Sequence, residues 1–395
     1  MMQNFLRKHP AGILAAGAAI QIFTGVPAAW GVFQRAVCAD YALEEARAAL
    51  IFSFTIFFFG IGCILGGFLQ DQKGPRTAGI CGTILLGTGF VAAAFLPQKM
   101  PLAFYAVFSM PVGLGCAFLY PAVMSCAQKW YADKKGLATG VIGCAVGASG
   151  AVLTLLGTAL IRLWNVRTAF WVLGILMTIV CAVGCVFLEN PAEKAQNMPK
   201  SKNAAREITL PQLFHMPQYW LLCFAVAFAT PAVLLFSPVI VELAQQRGLS
   251  QIAALGCIVA GSAASAAGRL LLPWLSDKIG RRAADLWLFA ALCGLSFAFL
   301  GAKGYLFLLL YSLLTFCYAG EAAVLPAAVS DLFGMAHTGV YYGFVALGMS
   351  AGSIGFPLLA NCFQDTAARH VIAIAAAAAG FVCIYFLKPT QGNRL

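Results

Sequence analysis

The sequence predicts an all-α membrane protein of twelve transmembrane helices, arranged as two pseudo-symmetric six-helix halves. Three observations carry this expectation. Of 395 residues, 61% are apolar and only 10% charged, against about 25% charged in soluble domains. Twelve apolar segments are long enough to cross about 30 Å of hydrocarbon. Landmarks of the first six segments recur in the last six at nearly one offset.

The segments lie near 11–33, 48–70, 77–96, 102–127, 137–160 and 168–188, then near 218–243, 252–276, 284–301, 305–330, 340–362 and 370–387. Only helices or closed barrels satisfy the backbone within lipid, and these runs lack the alternation of barrel strands. Between the two sets runs a polar, proline-containing stretch with Lys194, Lys200, Lys202 and Arg206. The expected organisation is therefore a first half over 1–188, a linker over 189–217 and a second half over 218–395.

Orientation follows from the lysines and arginines of the short loops. With a cytoplasmic N-terminus, sixteen of the 25 fall on the cytoplasmic side and eight opposite, while Arg269 lies inside a helix. Both termini and the linker are thus expected in the cytoplasm, with the chain in a plasma membrane of the bacterial inner-membrane kind. Arg7 and Lys8 precede about 23 largely apolar residues. A signal peptide's apolar region is only about 7–15 residues long, so the first span is expected to be retained.

Composition also excludes several functions. The net charge of +11 punctuates apolar segments instead of clustering on a polar face, which argues against nucleic-acid binding. Of fourteen cysteines, thirteen lie in apolar segments and Cys38 just outside one; without a CxxC pair they read as small packing residues. His9, His215, His337 and His370 stand at or beyond segment ends, so no metal or haem site is expected. No Walker loop is present, and no nucleophile, base and oxyanion donor can be assembled within the spans. The chain is expected to be neither an ATP-driven pump nor an enzyme, and to need no cofactor.

The internal repeat is specific. Asp71-x-x-Gly74-x-Arg76 after the second span matches Asp277-x-x-Gly280-x-Arg282 after the eighth, offset 206; Pro121 in the fourth matches Pro326 in the tenth, offset 205. Gly136 and Gly140 match Gly339 and Gly343, offset 203. Repeated six-helix halves place a substrate site near the midplane between them, as in secondary transporters. The glycine series 140, 143, 147 and 150, and 343, 348, 352 and 355, suits close helix contact.

Arg269 stands inside the eighth span, where an arginine costs about 2.5–3.5 kcal/mol and usually faces a partner or a wet cavity. Two roles are open to it. It can bind a ligand, or it can snorkel to the cytoplasmic surface about seven residues away.

The D-x-x-G-x-R turns, the first led in by Gly66-Gly67-Phe68-Leu69, resemble the loop signature of the major facilitator superfamily. Within it the chain resembles the oxalate/formate antiporter family, neighbours of the monocarboxylate transporters. The matching stretches are 21–33 (QIFTGVPAAWGVF), 66–76 (GGFLQDQKGPR), 129–140 (KWYADKKGLATG), 268–277 (GRLLLPWLSD) and 325–343 (LPAAVSDLFGMAHTGVYYG). The resemblance implies that Asp71, Gly74, Arg76, Asp277, Gly280 and Arg282 gate the cytoplasmic side as the halves rock, although Gln72 replaces the usual arginine. It also implies that Arg269 is the substrate-binding arginine, since a guanidinium can hold a carboxylate through two charge-assisted hydrogen bonds.

Two positions depart from that pattern. Met349 stands where the family has a lysine for a second carboxylate, and Ala28 stands where it has a tyrosine. With one cation missing, a monocarboxylate is a better expectation than oxalate. Glu321 is the third surprise, mid-way along the tenth span where a small residue is expected. Arg269 and Glu321 differ in depth by roughly 3 Å at 1.5 Å per residue. Glu321 is either a structural ion-pair partner or a coupling group that a bound carboxylate displaces from Arg269 and that then takes up a proton. Under the coupling reading Glu321→Gln keeps substrate exchange but loses acceleration by a pH gradient. Gln21, Trp30, Tyr120 and Tyr318 are the further candidates for the substrate pathway, with Asn361.

The resulting expectation is a carrier of a small organic anion working by alternating access, as proton symporter or anion exchanger, and as a monomer in lipid. Export of amphipathic drug-like compounds and a non-translocating sensor are the alternatives.

Overall fold

The structure is a computed structural model that describes residues 11–131, 135–190, 210–334, 338–363 and 366–388. Among these residues there are twelve helices long and apolar enough to cross a membrane. In chain order they are α1 (Ala11–Tyr41), α2 (Glu45–Lys73), α3 (Pro75–Ala93), α4 (Pro101–Trp130), α5 (Lys135–Leu163) and α6 (Val166–Val186). The second set is α7 (Pro217–Gln246), α8 (Gln251–Ile279), α9 (Arg281–Gly301), α10 (Gly304–Phe333), α11 (Thr338–Cys362) and α12 (Thr366–Phe386). Most of the expected linker, 191–209, lies outside the described residues.

The helices start and stop for local reasons. Asn165 caps α6 by accepting a hydrogen bond from the Thr168 N–H at 2.7 Å, and Ser250 caps α8 from Ala253 at 3.3 Å. Gly74 and Gly280 join α2 to α3 and α8 to α9 with φ of +87° and +92° and ψ of 165° and 148°. Only glycine adopts that backbone freely, which explains the repeated glycine of the two turns.

The two arginines of these turns also act alike. Arg76 donates to the carbonyls of Cys185 (3.4 Å) and Val186 at the end of α6; Arg282 donates to those of Ile384 (3.3 Å) and Tyr385 at the end of α12. Each guanidinium thereby satisfies the open carbonyl end of a helix in its own half.

Two helices are broken where the sequence reading treats them as continuous. In α1 the helix stops at Thr24 and restarts at Val26, where Gly25 is followed closely by Pro27. In α7 it is interrupted at Thr230-Pro231 and again at Ser237-Pro238, because proline removes an N–H and crowds the preceding turn. Beyond its break, α1 continues to Tyr41, past the expected end at 33. There Gln34, Arg35 and Cys38 line a wet-sized cleft, so polarity does not mark the helix end.

Two helix pairs make most of the contact between the halves, α2 with α11 and α5 with α8, with a smaller contact between α1 and α7. Both seams are glycine-lined. A Cβ on Gly147 would stand 2.4 Å from the Ala266 nitrogen of α8, and one on Gly343 would stand 2.7 Å from the Ile64 nitrogen of α2. Gly140, Gly143 and Gly150 also face α8, whereas Gly348 and Gly352 face α7. Gly355 has nothing within 4 Å, so its expected role in helix contact does not hold.

Candidate functional site

The seams start at the end of the bundle that carries the two glycine turns, here the turn end, and the α5–α8 seam runs past Arg269 to the contacts of Gly147 with Ala266 and Gly150 with Ser262. Above them the halves part around a cavity of about 210 Å³ lined by the breaks in α1 and α7 and by α2, α4, α5, α8, α10 and α11. This cavity shares Gly31, Phe52, Leu234 and Ser237 with a second one, of about 300 Å³, that lies towards the opposite end and contains Arg35, Glu45, Glu242 and Arg369. The protein is closed at the turn end and recessed from the other.

Helical spacing explains which side chains reach the cavity. On α8 these are Ser262, Ser265 and Arg269; on α10, Tyr311, Thr315 and Tyr318. Spacings of three and four residues place each set on one helix face. Arg269 is the one charged residue among the lining side chains. It is half-buried and its Nε is buried without a hydrogen-bond partner. The Tyr120 hydroxyl meets both its guanidinium and Tyr342, and the Tyr120 and Tyr342 rings lie 6.2 Å apart. Arg269 therefore stands in the cavity wall and does not snorkel to the surface.

The two positions that depart from the resemblance both face this space: Ala28 and Met349 line it. Tyr318 donates its hydroxyl to the Met349 sulfur at 3.7 Å. Behind that contact lies a smaller cavity that shares Tyr318, Tyr342 and Met349 with the central one and holds Glu321, which is 5% exposed. No Arg269–Glu321 ion pair within 4 Å is formed. The charged groups that act on Glu321 are Asp285 and then Arg269.

Two of the expected cavity residues are placed elsewhere. Trp30 is a core residue of the first half: its indole N–H donates to the Ala48 carbonyl at 3.2 Å and its ring lies 5.5 Å from Phe108. Gln21 is fully buried behind Thr24, whose hydroxyl donates to its Oε1, so Thr24 takes the cavity position instead. Asn361 lines the outer cavity.

The turn residues divide by role. Arg76 and Arg282 bond within their own halves, and Asp277 pairs with Arg281, which also donates to Asp331 at 3.2 Å. These contacts hold one half together and do not cross between halves. Among the described residues, Asp71 approaches the other half, with its Oδ1 3.9 Å from where a Gly339 Cβ would stand at the amino end of α11, as does Gln70 beside it.

Sequence reasoning missed Asp285, a buried acid in the second turn of α9. It also missed the paired breaks. Gly and Pro at matching places in the two halves, Gly25 to Pro27 and Pro231 to Pro238, were the signal.

With a broken-helix cavity between two repeated six-helix bundles in place, the comparisons with known proteins are decisive. The family model of the Major Facilitator Superfamily matches residues 13–357. The chain belongs to this superfamily. It is 23% identical over 384 residues to the oxalate:formate antiporter of Oxalobacter formigenes, covering 94% of this chain and 90% of that one. It is 25% identical over 411 aligned positions to apicoplast pyruvate carrier 1 of Toxoplasma gondii, covering 85% and 74%. The solved structure of the proton:xylose symporter XylE superposes with a TM-score of 0.73 at 15% identity over 98% of both chains, a likeness of fold. A superfamily member of this kind is an integral membrane transporter and not an enzyme.

Proposed function

We propose that this transporter carries a small monocarboxylate across the membrane by alternating access, coupled to a proton or exchanged for another anion. The observation that carries the reading is Arg269: a single guanidinium with an unengaged Nε, in the wall of a small cavity between the halves. A planar fork matches a carboxylate, and Met349 offers no second cation for a dicarboxylate. The names of two relatives support a small carboxylate as the substrate class, since one exchanges oxalate and formate and another carries pyruvate.

In this reading the turn end is cytoplasmic, by the positive charge of its loops, and the cavity faces outward. An anion entering past Arg35 and Arg369 meets Arg269, with Tyr120 and Tyr318 on the cavity walls. The α5–α8 and α2–α11 seams then open as the opposite end closes, with Asp71 at the amino end of α11 as the contact between halves that must break.

The test is uptake of radiolabelled formate, acetate, lactate, pyruvate and oxalate into proteoliposomes, with and without an inward proton gradient, for wild type and Arg269→Gln. Pyruvate or lactate uptake that disappears in Arg269→Gln supports the reading, and stimulation by the gradient selects symport. Flux of no carboxylate, or flux indifferent to Arg269, overturns it in favour of drug export or a sensor.

A further inference from the structure

Glu321 is buried, and among the described residues its carboxyl group has neither a hydrogen bond nor an ion pair within 4 Å. A buried carboxylate left alone costs several kcal/mol, so what it faces matters. It faces the small cavity behind the Tyr318–Met349 contact, a void of about 20 Å³. Val226 of α7 and Ala346 of α11 supply apolar wall there, and Tyr318 and Tyr342 bring the other polar groups. One water needs roughly 10–15 Å³ and two to four polar partners. The void has that size and those partners.

Its walls are also walls of the anion's cavity. Tyr318, Ala322, Tyr342 and Met349 line both spaces. Of the two hydroxyls among them, that of Tyr318 is committed to the Met349 sulfur at 3.7 Å. The other, on Tyr342, lies against Tyr120, which meets Arg269. Tyr342 is therefore the polar group that reaches from the anion's site to that of Glu321. The further titratable and charged groups facing Glu321 are Tyr318 on its own helix, Arg269 from α8 and Asp285 from α9, while α7 presents the apolar Val226.

We propose that the void binds one water molecule, and that this water and the Tyr342 hydroxyl carry protons between the central cavity and Glu321. The water donates to the Glu321 carboxylate and to the Tyr318 oxygen, and accepts from the Tyr342 O–H. A hydronium in the central cavity gives a proton to the Tyr342 oxygen as the Tyr342 O–H passes its own to the bound water, which protonates the Glu321 carboxylate. Tyrosine and bound water end as they began, and one proton has moved from the cavity to Glu321. The reverse sequence returns it to the cavity once the halves have rocked. Proton and anion then share one alternating cavity, and no separate channel through the second half is needed. This inference rests on the symport reading above.

The experiment compares wild type, Ala346→Val, Val226→Ala and Tyr342→Phe in proteoliposomes. Ala346 and Val226 line the small void and not the central cavity. Two fluxes are read: exchange of labelled for unlabelled pyruvate, which needs no net proton movement, and accumulation driven by a proton gradient. Ala346→Val fills the void; it is expected to keep about half or more of wild-type exchange and to lose roughly tenfold or more of gradient-driven accumulation. Val226→Ala widens the void and should keep both fluxes. Tyr342→Phe removes the bridge, and its ratio of accumulation to exchange should fall by a similar factor. A wild-type ratio in Ala346→Val or in Tyr342→Phe overturns the route, as does loss of accumulation in Val226→Ala equal to that in Ala346→Val. If Ala346→Val loses both fluxes, the ratio in Tyr342→Phe decides. An experimental structure that resolves ordered waters is the direct check: a water at about 2.7–3.2 Å from the Glu321 carboxylate supports the site, and its absence overturns it. A wild type that exchanges pyruvate but ignores the gradient overturns the symport reading itself, and with it the route, whatever the structure shows in the void.

Discussion

The Tyr318 hydroxyl donates to the Met349 sulfur at 3.7 Å, and this contact between α10 and α11 separates the cavity of Arg269 from the one that holds Glu321. An apolar thioether thus occupies the wall across which a second cation would have to reach. The partition leaves Glu321 within electrostatic range of Arg269 while the two side chains line different cavities.

Replacing that thioether is the direct test of selectivity. Met349→Lys places an ammonium in the cavity beside Tyr318. Hydrogen bonds to charged groups contribute about 1.5–3 kcal/mol, which is roughly ten- to hundredfold in affinity. Oxalate is expected to inhibit pyruvate uptake by the variant at concentrations lower by about that factor, with pyruvate affinity changed less. Inhibition no better than in wild type would show that residue 349 does not meet the anion.

Arg269→Lys separates charge from geometry. Lysine keeps the positive charge but cannot make the two parallel bonds of a guanidinium, and loss of one such bond is worth about 1.5–3 kcal/mol. The KM for pyruvate exchange is expected to rise roughly tenfold or more while protein yield and thermal stability stay unchanged. An unaltered KM would mean that charge alone attracts the anion.

How much of this was legible from sequence depends on what each residue type reveals. Hydropathy dictates the twelve spans, and Arg269 and Glu321 stand out because a charge in an apolar run is costly wherever its helix faces. Trp30 and Gln21 are different. An aromatic ring or an amide can be satisfied inside a bundle, as the Trp30 bond to Ala48 and the Thr24 bond to Gln21 show, so their presence in a span does not tell which face they occupy. Asp285 was hidden for another reason: as the second residue of the 284–301 segment, three positions after Arg282, it reads as a charge at a span's end, and only packing reveals that it is buried. The turn glycines were legible as a repeat, but their arginines' partners, the last carbonyls of α6 and α12, are remote in sequence.

Those arginine contacts make a stability prediction. Arg76→Ala removes the bonds to Cys185 and Val186, and Arg282→Ala those to Ile384 and Tyr385. Both sites are partly exposed, so each loss should cost about 1 kcal/mol, a drop of roughly 2–4 °C in melting temperature for a unit the size of one half. Because the sites lie in different halves and share no partner, their free-energy costs should add in the double variant. Thermal unfolding in detergent measures this, and pyruvate exchange by the folded variants should retain its wild-type KM. A changed KM with unchanged melting temperature would return these arginines to a gating role.

The glycine seam carries the prediction about motion. Gly147 presses α5 against the backbone of α8, and a side chain there would stand 2.4 Å from the Ala266 nitrogen, closer than atoms tolerate. The backbone on the other side cannot step aside as a flexible side chain can. Gly147→Val should therefore disfavour the conformation closed at the turn end, and the relief available is separation of the halves along α5 and α8. Hydrogen–deuterium exchange followed by mass spectrometry is expected to quicken in the turn-end parts of α5 and α8 and to slow around Arg35 and Arg369 as the outer cavity shuts. Gly355→Val, at a position with nothing within 4 Å, should leave both regions as in wild type. If Gly147→Val folds with wild-type exchange in both regions, the seam is not where the halves part, and closure at the turn end must be governed by the α2–α11 contact through Gly343 instead.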